Sequence, residues 1–443
     1  MRLPPSPKIL IARGDMLGDL ITATALIQPI KRQYPEAQIF FLARPAFVAL
    51  LTEIPDVAGI VPDTQPYDGT TRSPEFTQVL AALKSHQFDV MINLWEHPRY
   101  AVLAKAAGIK VRIGHAIGWR NWLYHSHSIR LNYQNYHRHK VQMNLALLGP
   151  LGVSAPDSRL QLQISDPAMA DVAEKYPFMN FPYRVVAVDS GAKVKCWVDS
   201  EIKPVLTAML DLDPSPLVLL GGVVANATET TLDWINTHGR IINLAGKTSL
   251  VEVSAVIKKA TYFVGPDSGL SHIAAGFQCP AVVIYRTRTQ NCFHWAPWLS
   301  PHVIYKQQNA CRDSCVPLHC PCPGREFISP DRMVALIREL DRTTTGTLAG
   351  QRAYWDLVGH QAGIYCDASI FEAVLAQVPF ASNAIHLDPK ASINKLKNRM
   401  VAGNINWVLV PHRRGSLKLW IARIWASNLI HFLPAVRRLS LDL

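Results

Sequence analysis

Several features are missing from this 443-residue chain, and each absence excludes a class of protein. No apolar run is long enough to span a bilayer, and residues 1–7 lack the apolar core of a signal peptide. No short tandem repeat is present, which argues against a solenoid. No zinc-finger, RNP or KH pattern occurs either, so nucleic-acid binding has no motif to support it. These absences predict a cytoplasmic protein built from globular domains.

Cysteine is also unevenly distributed, because none of the eight cysteines precedes Cys196. Four of them lie close together, namely Cys311, Cys315, Cys320 and Cys322. Their spacing does not match the C-x2-C pairs of common zinc sites, so reduced loop cysteines are the default interpretation. A structural metal held by the four thiols is the alternative that the spacing leaves open.

The composition indicates a large protein with anionic partners. With 49% hydrophobic residues, the chain can bury more than one core, and its length favours two or three domains. The formal net charge of +12 favours an anionic partner. It does not choose among a nucleoside diphosphate, a phosphorylated glycolipid, an anionic membrane and a nucleic acid.

Strands and helices alternate in two rounds, which predicts an α/β fold of two Rossmann-like parallel-sheet lobes facing a cleft. The first round has strands near residues 8–12, 38–42 and 89–93, and the second near 185–188, 217–220, 241–244, 262–264 and 281–285. A break lies near residues 165–182. We expect lobes at 1–170 and 183–340, a linker at 341–347, and a basic extension at 351–443.

The segment 262–275 is the most informative part of the chain, because it predicts a strand, a tight turn and a helix of small residues. Asp267 and Ser268 are good N-cap types, and Gly269 would let a ligand approach the backbone. The first N–H groups of such a helix and its dipole attract anions such as a diphosphate. An ordinary turn in a parallel sheet is the simpler interpretation of this segment alone.

A second motif lies near the N-terminus, where a buried-type strand at 8–11 precedes a turn and a helical run at 20–33. Asp19 is expected at the start of that helix, where it serves either as a cap or as a functional carboxylate. A sugar hydroxyl needs a base to remove its proton, and one well-placed carboxylate is sufficient. Asp19 is our candidate for that base, and Asp15 is its rival.

Together these motifs resemble the family 9 glycosyltransferases, the heptosyltransferases of lipopolysaccharide core synthesis, which have the GT-B architecture. The similar segments are Arg13, 17–19 and Thr24, followed by 111–114, 191–192, 195–197, 219–222, 243–250 and 267–272. Each segment is short, but their order and spacing are specific. The resemblance covers about residues 8–340.

The resemblance implies an inverting transfer from a nucleotide-diphosphate sugar, with ADP-heptose as the expected donor and a lipid-linked or oligosaccharide acceptor. It implies neither a metal nor a cofactor. The residues expected to bind the donor are Lys195, Lys247, Thr248, Asp267, Ser268, Gly269, Leu270 and His272. Arg13 and Arg112 are expected to bind the acceptor or a phosphate. For Lys195 a solvated surface position, and for His272 a packed and hydrogen-bonded position, are the simpler alternatives.

Two departures from the family pattern affect this interpretation. Residues 223–226 lack the acidic residue often found there for ribose hydroxyls, and Tyr285, Arg286 and Thr287 stand where the family usually has a glycine after the strand. A nucleotide-sugar binding protein without transfer activity therefore stays an alternative, as does a nucleotide-sugar epimerase. A nucleic-acid binder is a further alternative that only the net charge favours.

The extension shows helical patterning at 368–378 and a basic stretch at 390–399. In its last part, 413–425, apolar side chains share one broad side of a helical wheel and basic ones lie elsewhere. This pattern predicts either an interfacial membrane anchor or a packed terminal helix.

Overall fold

The computed structural model describes residues 3–67, 71, 73–95, 97–131, 139–155, 158–191, 195–222, 224, 227–286, 292–306 and 328–345, together with five strands beyond them. The chain forms two compact units. The first unit contains both predicted lobes and extends to Tyr354. The second contains the described strands from Gln361 onward.

The first sheet has the order β3-β2-β1-β4-β5-β6, and all of its strand pairs are parallel. Its strands are β1 (Lys8–Ala12), β2 (Gln38–Ala43), β3 (Val57–Pro62), β4 (Val90–Asn93), β5 (Val111–His115) and β6 (His127–Ile129). The central strands β1 and β4 are almost entirely buried, as expected for strands that helices cover on both faces. Leu10, Leu42 and Met91 belong to the core on one face of this sheet.

In the described part of the first lobe, seven α-helices accompany this sheet. They are α1 (Leu17–Ala23), α2 (Ile27–Gln33), α3 (Val48–Thr52), α4 (Pro74–His86), α5 (Pro98–Ala106), α6 (Gly118–Tyr124) and α7 (Lys140–Ala146). The helical run predicted at 20–33 is interrupted by a 3-10 turn at Thr24–Leu26. Pro29 lacks an N–H and its ring crowds the carbonyl four residues earlier, which explains why one helix does not run through.

The second sheet has the order β13-β12-β11-β10-β7-β8-β9. Its strands are β7 (Arg184–Ala187), β8 (Leu217–Leu220), β9 (Ile241–Asn243), β10 (Phe263–Pro266), β11 (Ala281–Tyr285), β12 (His302–Lys306) and β13 (Tyr354–Asp356). The strand pairs from β12 to β9 are parallel. Two parallel sheets with flanking helices confirm the predicted α/β fold of two Rossmann-like lobes.

Further helices belong to the second round, and several of them begin at a residue whose side chain caps the helix. They are α8 (Asp166–Lys175), α9 (Asp199–Leu212), α10 (Glu229–Thr237), α11 (Leu250–Lys259), α12 (Gly269–Gly276), α13 (Cys292–Trp295) and α14 (Pro330–Thr345). Ser249 and Glu252 form a reciprocal capping box at α11, with the Ser249 hydroxyl accepting from the Glu252 N–H at 3.2 Å. The predicted break at 165–182 contains α8, which Ser165 caps.

The linker predicted at 341–347 is wrong for its first five residues, because α14 continues to Thr345. Leu336, Ile337 and Leu340 are buried along this helix, so packing of its apolar face outweighs the low helix propensity of its threonines. No helix among the described residues is long and apolar enough to cross a membrane.

The second unit contains a four-stranded sheet with the order β15-β14-β16-β17. Its strands are β14 (Gln361–Tyr365), β15 (Ile385–Leu387), β16 (Ile405–Pro411) and β17 (Leu417–Lys418). β17 pairs antiparallel with the end of β16, so the helix predicted across 413–425 is wrong at Leu417 and Lys418. The predicted helix at 368–378, the basic stretch at 390–399 and residues 419–425 lie outside the described residues, as do the four clustered cysteines.

Candidate active site

The turn after β1 places one guanidinium between two carboxylates. The Nε of Arg13 lies 2.7 Å from an oxygen of Asp15, and its Nη2 donates to both Asp15 and Asp19. Its Nη1 donates to the carbonyl of Leu94, which follows β4. Arg13 is buried, so these charge-assisted contacts hold Asp19 in a defined orientation. Arg13 was predicted to bind an acceptor or a phosphate, and that role stays a prediction.

Asp19 lies in the first turn of α1, but it is not the helix cap. The N-cap position is occupied by Met16, which makes no side-chain capping bond. The alternative in which Asp19 merely caps the helix is therefore wrong. Its side chain keeps 15% of its surface accessible, so it can meet a substrate while Arg13 holds it.

Asp15 lies deeper than Asp19. Burial raises the pKa of Asp15 from 3.8 to about 6, and the negative charge of Asp19 adds to the shift, whereas Arg13 and Lys140 oppose it. This carboxyl group therefore changes its charge near pH 6. Titration of Asp15 therefore makes the charge of this turn sensitive to pH.

The turn after β10 carries the second half of the site. The Nζ of Lys195 lies 2.9 Å from the Asp267 carboxylate and donates to the Asp267 carbonyl at 3.1 Å. Only 20% of the Lys195 side chain is exposed, so the solvated-surface alternative is wrong. Ser268 is the N-cap of α12, as predicted, and its carbonyl accepts from the hydroxyl of Ser271 at 2.7 Å.

The two turns meet directly. A Cβ atom added to Gly269 would lie 2.8–2.9 Å from the side chain of Leu17, and one added to Gly18 would lie 2.7 Å from the ring of His272. Glycine at both positions therefore allows the starts of α1 and α12 to approach closely. Leu17 fills the space beside Gly269. On this side of the backbone, Gly269 therefore admits a side chain of the other lobe and not the ligand that was predicted there.

His272 lies where the charged groups of both turns converge. It is buried against Trp295, and burial lowers its pKa below 6.5, with Lys195 assisting and Asp267 and Asp19 opposing. The imidazole is therefore neutral at physiological pH. Its Nδ1 is buried and has no hydrogen-bond partner within the described part of the chain. The alternative interpretation of His272 was a packed and hydrogen-bonded side chain. Its burial is confirmed, but Nδ1 makes no hydrogen bond to any residue that the structure describes.

Both turns lie at the points where ligands bind in open α/β sheets. In the first sheet the strand order reverses between β1 and β4, and in the second between β7 and β10. Crevices at the carboxyl ends of such strand pairs are the usual ligand sites of this architecture. Arg13 and Asp15 follow β1, and Asp267 and Ser268 follow β10. The topology thus explains why each of these charged turns lies at the ligand-binding edge of its own sheet.

Lys247 and Thr248 lie further along the second sheet, after β9. Lys247 is exposed, and its Nζ donates to the carbonyl of Asn243 at 2.9 Å. Thr248 has a buried hydroxyl oxygen without a hydrogen-bond partner among the described residues. Their role in donor binding stays a prediction, as does that of Leu270, whose N–H belongs to the first turn of α12.

Arg112 is occupied with the backbone of its own lobe. Its Nε donates to the carbonyl of Tyr124 at 2.7 Å, and its Nη1 donates to the carbonyls of Ile109 and Lys110 at 2.5 and 3.1 Å. Partial burial lowers its pKa. These contacts fix the segment between β5 and β6, while its predicted role toward an acceptor stays untested.

The departure at Arg286 has a structural explanation. Arg286 is fully buried after β11, its guanidinium lies 2.8 Å from the Glu201 carboxylate, and it lies over the ring of Trp197 at 5.0 Å. Glu201 also accepts from the N–H of Ile328 at 2.9 Å. The large cation in this departing segment is thus neutralised by a buried partner, which is a requirement for burying a charge.

Asp189 was not predicted as a site residue, although it lies beside Gly222, just before the segment where the family often has an acidic residue for ribose hydroxyls. Asp189 follows β7, and its carboxylate accepts from the N–H of Gly222 at 3.0 Å. A Cβ atom on Gly221 would lie 2.3 Å from the same carboxylate, and the φ of 131° at Gly221 favours glycine. Its position directly after a predicted strand was the signal that could have identified it.

The fold and the site define a two-lobed α/β protein of GT-B architecture, with a carboxylate on one lobe facing a cationic helix start on the other. The family model for glycosyltransferase family 9 (heptosyltransferase) matches residues 76–319, more than half of the chain. The chain belongs to this family and is a glycosyltransferase.

Similar proteins agree with this assignment. Lipopolysaccharide heptosyltransferase 3 of Escherichia coli (strain K12) is 25% identical over 290 residues, which span 63% of this chain and 82% of that protein. A family 9 glycosyltransferase from Veillonella parvula superposes with a TM-score of 0.62 at 16% identity, covering 77% of this chain and 98% of that one. The ADP-heptose lps heptosyltransferase II of E. coli has a TM-score of 0.59 at 20% identity, with coverage of 76% and 100%. The two structures support the fold alone.

Proposed function

We propose that this glycosyltransferase moves a heptose from ADP-heptose to a sugar of a lipopolysaccharide core, with inversion and without a metal. The observation that carries the proposal is the meeting of the two turns, through Leu17 with Gly269 and Gly18 with His272. The relatives named for lipopolysaccharide and ADP-heptose support the choice of substrates.

In the proposed reaction Asp19 accepts the proton of the acceptor hydroxyl, whose oxygen attacks the anomeric carbon of the donor. The bond from that carbon to the diphosphate breaks, and the nucleoside diphosphate leaves as an anion. Because attack and departure occur on opposite faces of the carbon, the anomeric configuration inverts. Arg13 positions Asp19 for this step.

Positive charge for the leaving diphosphate comes from Lys195 and from the first N–H groups of α12, at Gly269 and Leu270. Asp267 positions Lys195 through the contact at 2.9 Å. The neutral His272 supports the donor from inside the helix start, and Lys247 and Thr248 contact the nucleotide or the sugar. These groups supply the charge neutralisation for which other transferases use a divalent cation.

The experiment is an assay of purified protein with a panel of nucleotide sugars and de-acylated core oligosaccharide, with and without EDTA. We expect ADP-heptose to raise the apparent melting temperature by mass action and to give a product of inverted configuration by NMR. Failure of every nucleotide to stabilise the protein contradicts the proposal. Retention of configuration, or loss of turnover in EDTA, contradicts the corresponding part.

We further propose that the protein works at the cytoplasmic face of a membrane and touches it through residues 413–425, because the acceptor is lipid-linked and this segment is basic and apolar. Flotation of the full chain with anionic liposomes tests this, compared with a Trp420→Ser/Trp425→Ser variant. The variant should float less. Equal flotation, or none for either protein, removes this part of the proposal.

A further inference from the structure

The first lobe carries a group of aromatic and cationic side chains that no predicted role uses. Arg44 follows β2, Tyr67 lies beyond the end of β3, and Trp95 and His97 follow β4. All four positions are at the carboxyl ends of strands in the sheet that carries Asp19, beside the β1–β4 reversal point. We call these four residues the aromatic cluster.

The aromatic cluster is connected to the turn that holds Asp19. The Nε of Arg44 donates to the carbonyl of Gly14 at 3.0 Å. A Cβ atom on Gly14 would lie 3.0 Å from Pro66, the neighbour of Tyr67. A sugar on this cluster would therefore lie beside the turn that follows β1.

Contacts within the cluster give it a fixed shape. The guanidinium carbon of Arg44 lies 4.9 Å from the Tyr67 ring centre, and Tyr67 meets Trp95 edge to face at 5.1 Å. His97 stacks on Trp95 at 4.8 Å with an angle of 24° between the rings. Such contacts orient aromatic rings before a ligand arrives.

The exposure of Tyr67 is not explained by packing, because half of its surface is accessible. Met16 and Ile117, which follow β1 and β5, are also exposed apolar side chains on this edge of the sheet. No carboxylate among the described residues forms an ion pair with Arg44. The edge thus presents apolar rings beside a cation without an anionic partner in the described part of the chain.

The chemistry of these groups fits a sugar with a negative charge. The faces of pyranose rings carry C–H groups that pack on aromatic side chains, while polar groups around the ring fix its orientation. A guanidinium binds a phosphate or a carboxylate through two parallel hydrogen bonds. The pairing of exposed ring and guanidinium matches both features.

We propose that the aromatic cluster is the acceptor subsite and binds a sugar ring that carries an anionic group, with Tyr67 and Trp95 packing on the ring and Arg44 binding the anion. This inference rests on the proposed function and names the residues that select its acceptor.

Calorimetry and steady-state kinetics of the full chain test the inference, with de-acylated core oligosaccharide as the probe. Tyr67→Ala should weaken oligosaccharide binding and raise the acceptor KM about tenfold or more, whereas Tyr67→Phe should stay near wild type. The donor KM should not change. Phe181→Ala is the matched control, because Phe181 is another exposed aromatic side chain, with 71% of its surface accessible.

Arg44→Lys keeps the charge but removes the planar guanidinium that can donate two parallel hydrogen bonds to an anion. This variant should also weaken oligosaccharide binding. Arg159→Lys, at an exposed position, is its control. If phosphatase treatment of the oligosaccharide abolishes the difference between Arg44→Lys and wild type, the anion is a phosphate. If the difference persists, the anion is a carboxylate.

Unchanged oligosaccharide binding in Tyr67→Ala and Arg44→Lys overturns the inference, as does an equal loss in Phe181→Ala. Absence of oligosaccharide binding by the wild-type protein overturns it as well. Wild-type binding that depends on Tyr67 but leads to no transfer contradicts the proposed function and leaves the acceptor subsite in place, so the two failures are distinguishable.

Discussion

The two turns that meet in the candidate site contain the same kinds of charged group in different proportions. After β1, one cation, Arg13, contacts two carboxylates directly, and Lys140 also acts on Asp15. After β10, one cation, Lys195, lies beside one carboxylate, and the start of α12 adds about half a positive charge.

This difference matches the two halves of a group transfer. Removal of a proton from a hydroxyl needs a negatively charged acceptor, and departure of a diphosphate needs a positive environment. The contact of Leu17 with Gly269 brings the two environments together. Polarity across the candidate site therefore comes from the balance of charged groups in each turn. The following experiments change that balance or that contact.

Removing the charge of Asp19 should have the largest effect. We expect Asp19→Asn to lower kcat by about 10²- to 10⁴-fold, because the hydroxyl loses its base, while donor affinity stays near wild type. Steady-state kinetics and donor titration measure the two quantities. Asp171→Asn, an exposed position on α8, is the control. Near-normal turnover of Asp19→Asn would assign the base to another group, with Asp15 the first candidate.

Removing the cation of the second turn should have the next largest effect. Lys195→Gln should lower kcat/KM by about 10²- to 10³-fold, because the leaving diphosphate loses a preorganised positive group. Donor binding should weaken in this variant, unlike in Asp19→Asn. Lys259→Gln, exposed in the last turn of α11, should behave like wild type. Equal donor affinity in Lys195→Gln and wild type would remove Lys195 from the donor site.

Changing the contact between the turns should have an intermediate effect. Gly269→Ala places a methyl group within 3 Å of Leu17, so the turns must separate, and we expect a loss of about 10- to 100-fold in kcat/KM. Gly239→Ala is the control, because a Cβ there meets no atom within 4 Å. Full activity of Gly269→Ala would show that the close approach of the turns is not needed.

Titration of Asp15 should give the smallest effect. Its raised pKa, about 6, means that the first turn becomes less negative as the pH falls below 6, so kcat/KM should decline there. In Asp15→Asn this limb should disappear. The free energy of unfolding should change in the opposite direction. Because the folded state binds the proton of Asp15 more tightly than the unfolded state does, its contribution to stability is fully present below pH 3.8 and is lost as the pH rises through about 6. A limb near pH 6 that persists in Asp15→Asn would belong to another group.

The sequence predicted those parts of the fold that depend on local patterns. The buried strand at 8–12 and the strand, turn and helix around Asp267 and Ser268 follow from apolar runs and cap residues, and the structure confirms them. The end of α14 was mistaken for a linker, because its threonines suggest a loop while the buried face of Leu336 and Leu340 holds the helix.

The sequence offered candidate site residues, but it did not predict the contacts between them. Asp19 and Lys195 were identified from motifs, whereas the fit of Leu17 against Gly269 depends on how two lobes pack and leaves no local pattern. Arg44 and Trp95 were missed, although both follow predicted strands and a search of those positions would have found them.

A crystal structure of the Asp19→Asn protein with ADP-heptose bound tests the account most directly. The account predicts the diphosphate within hydrogen-bond reach of Lys195 and of the N–H groups of Gly269 and Leu270, with the anomeric carbon facing residue 19 across the gap. A diphosphate held by the first turn, or an anomeric carbon directed away from residue 19, would contradict it.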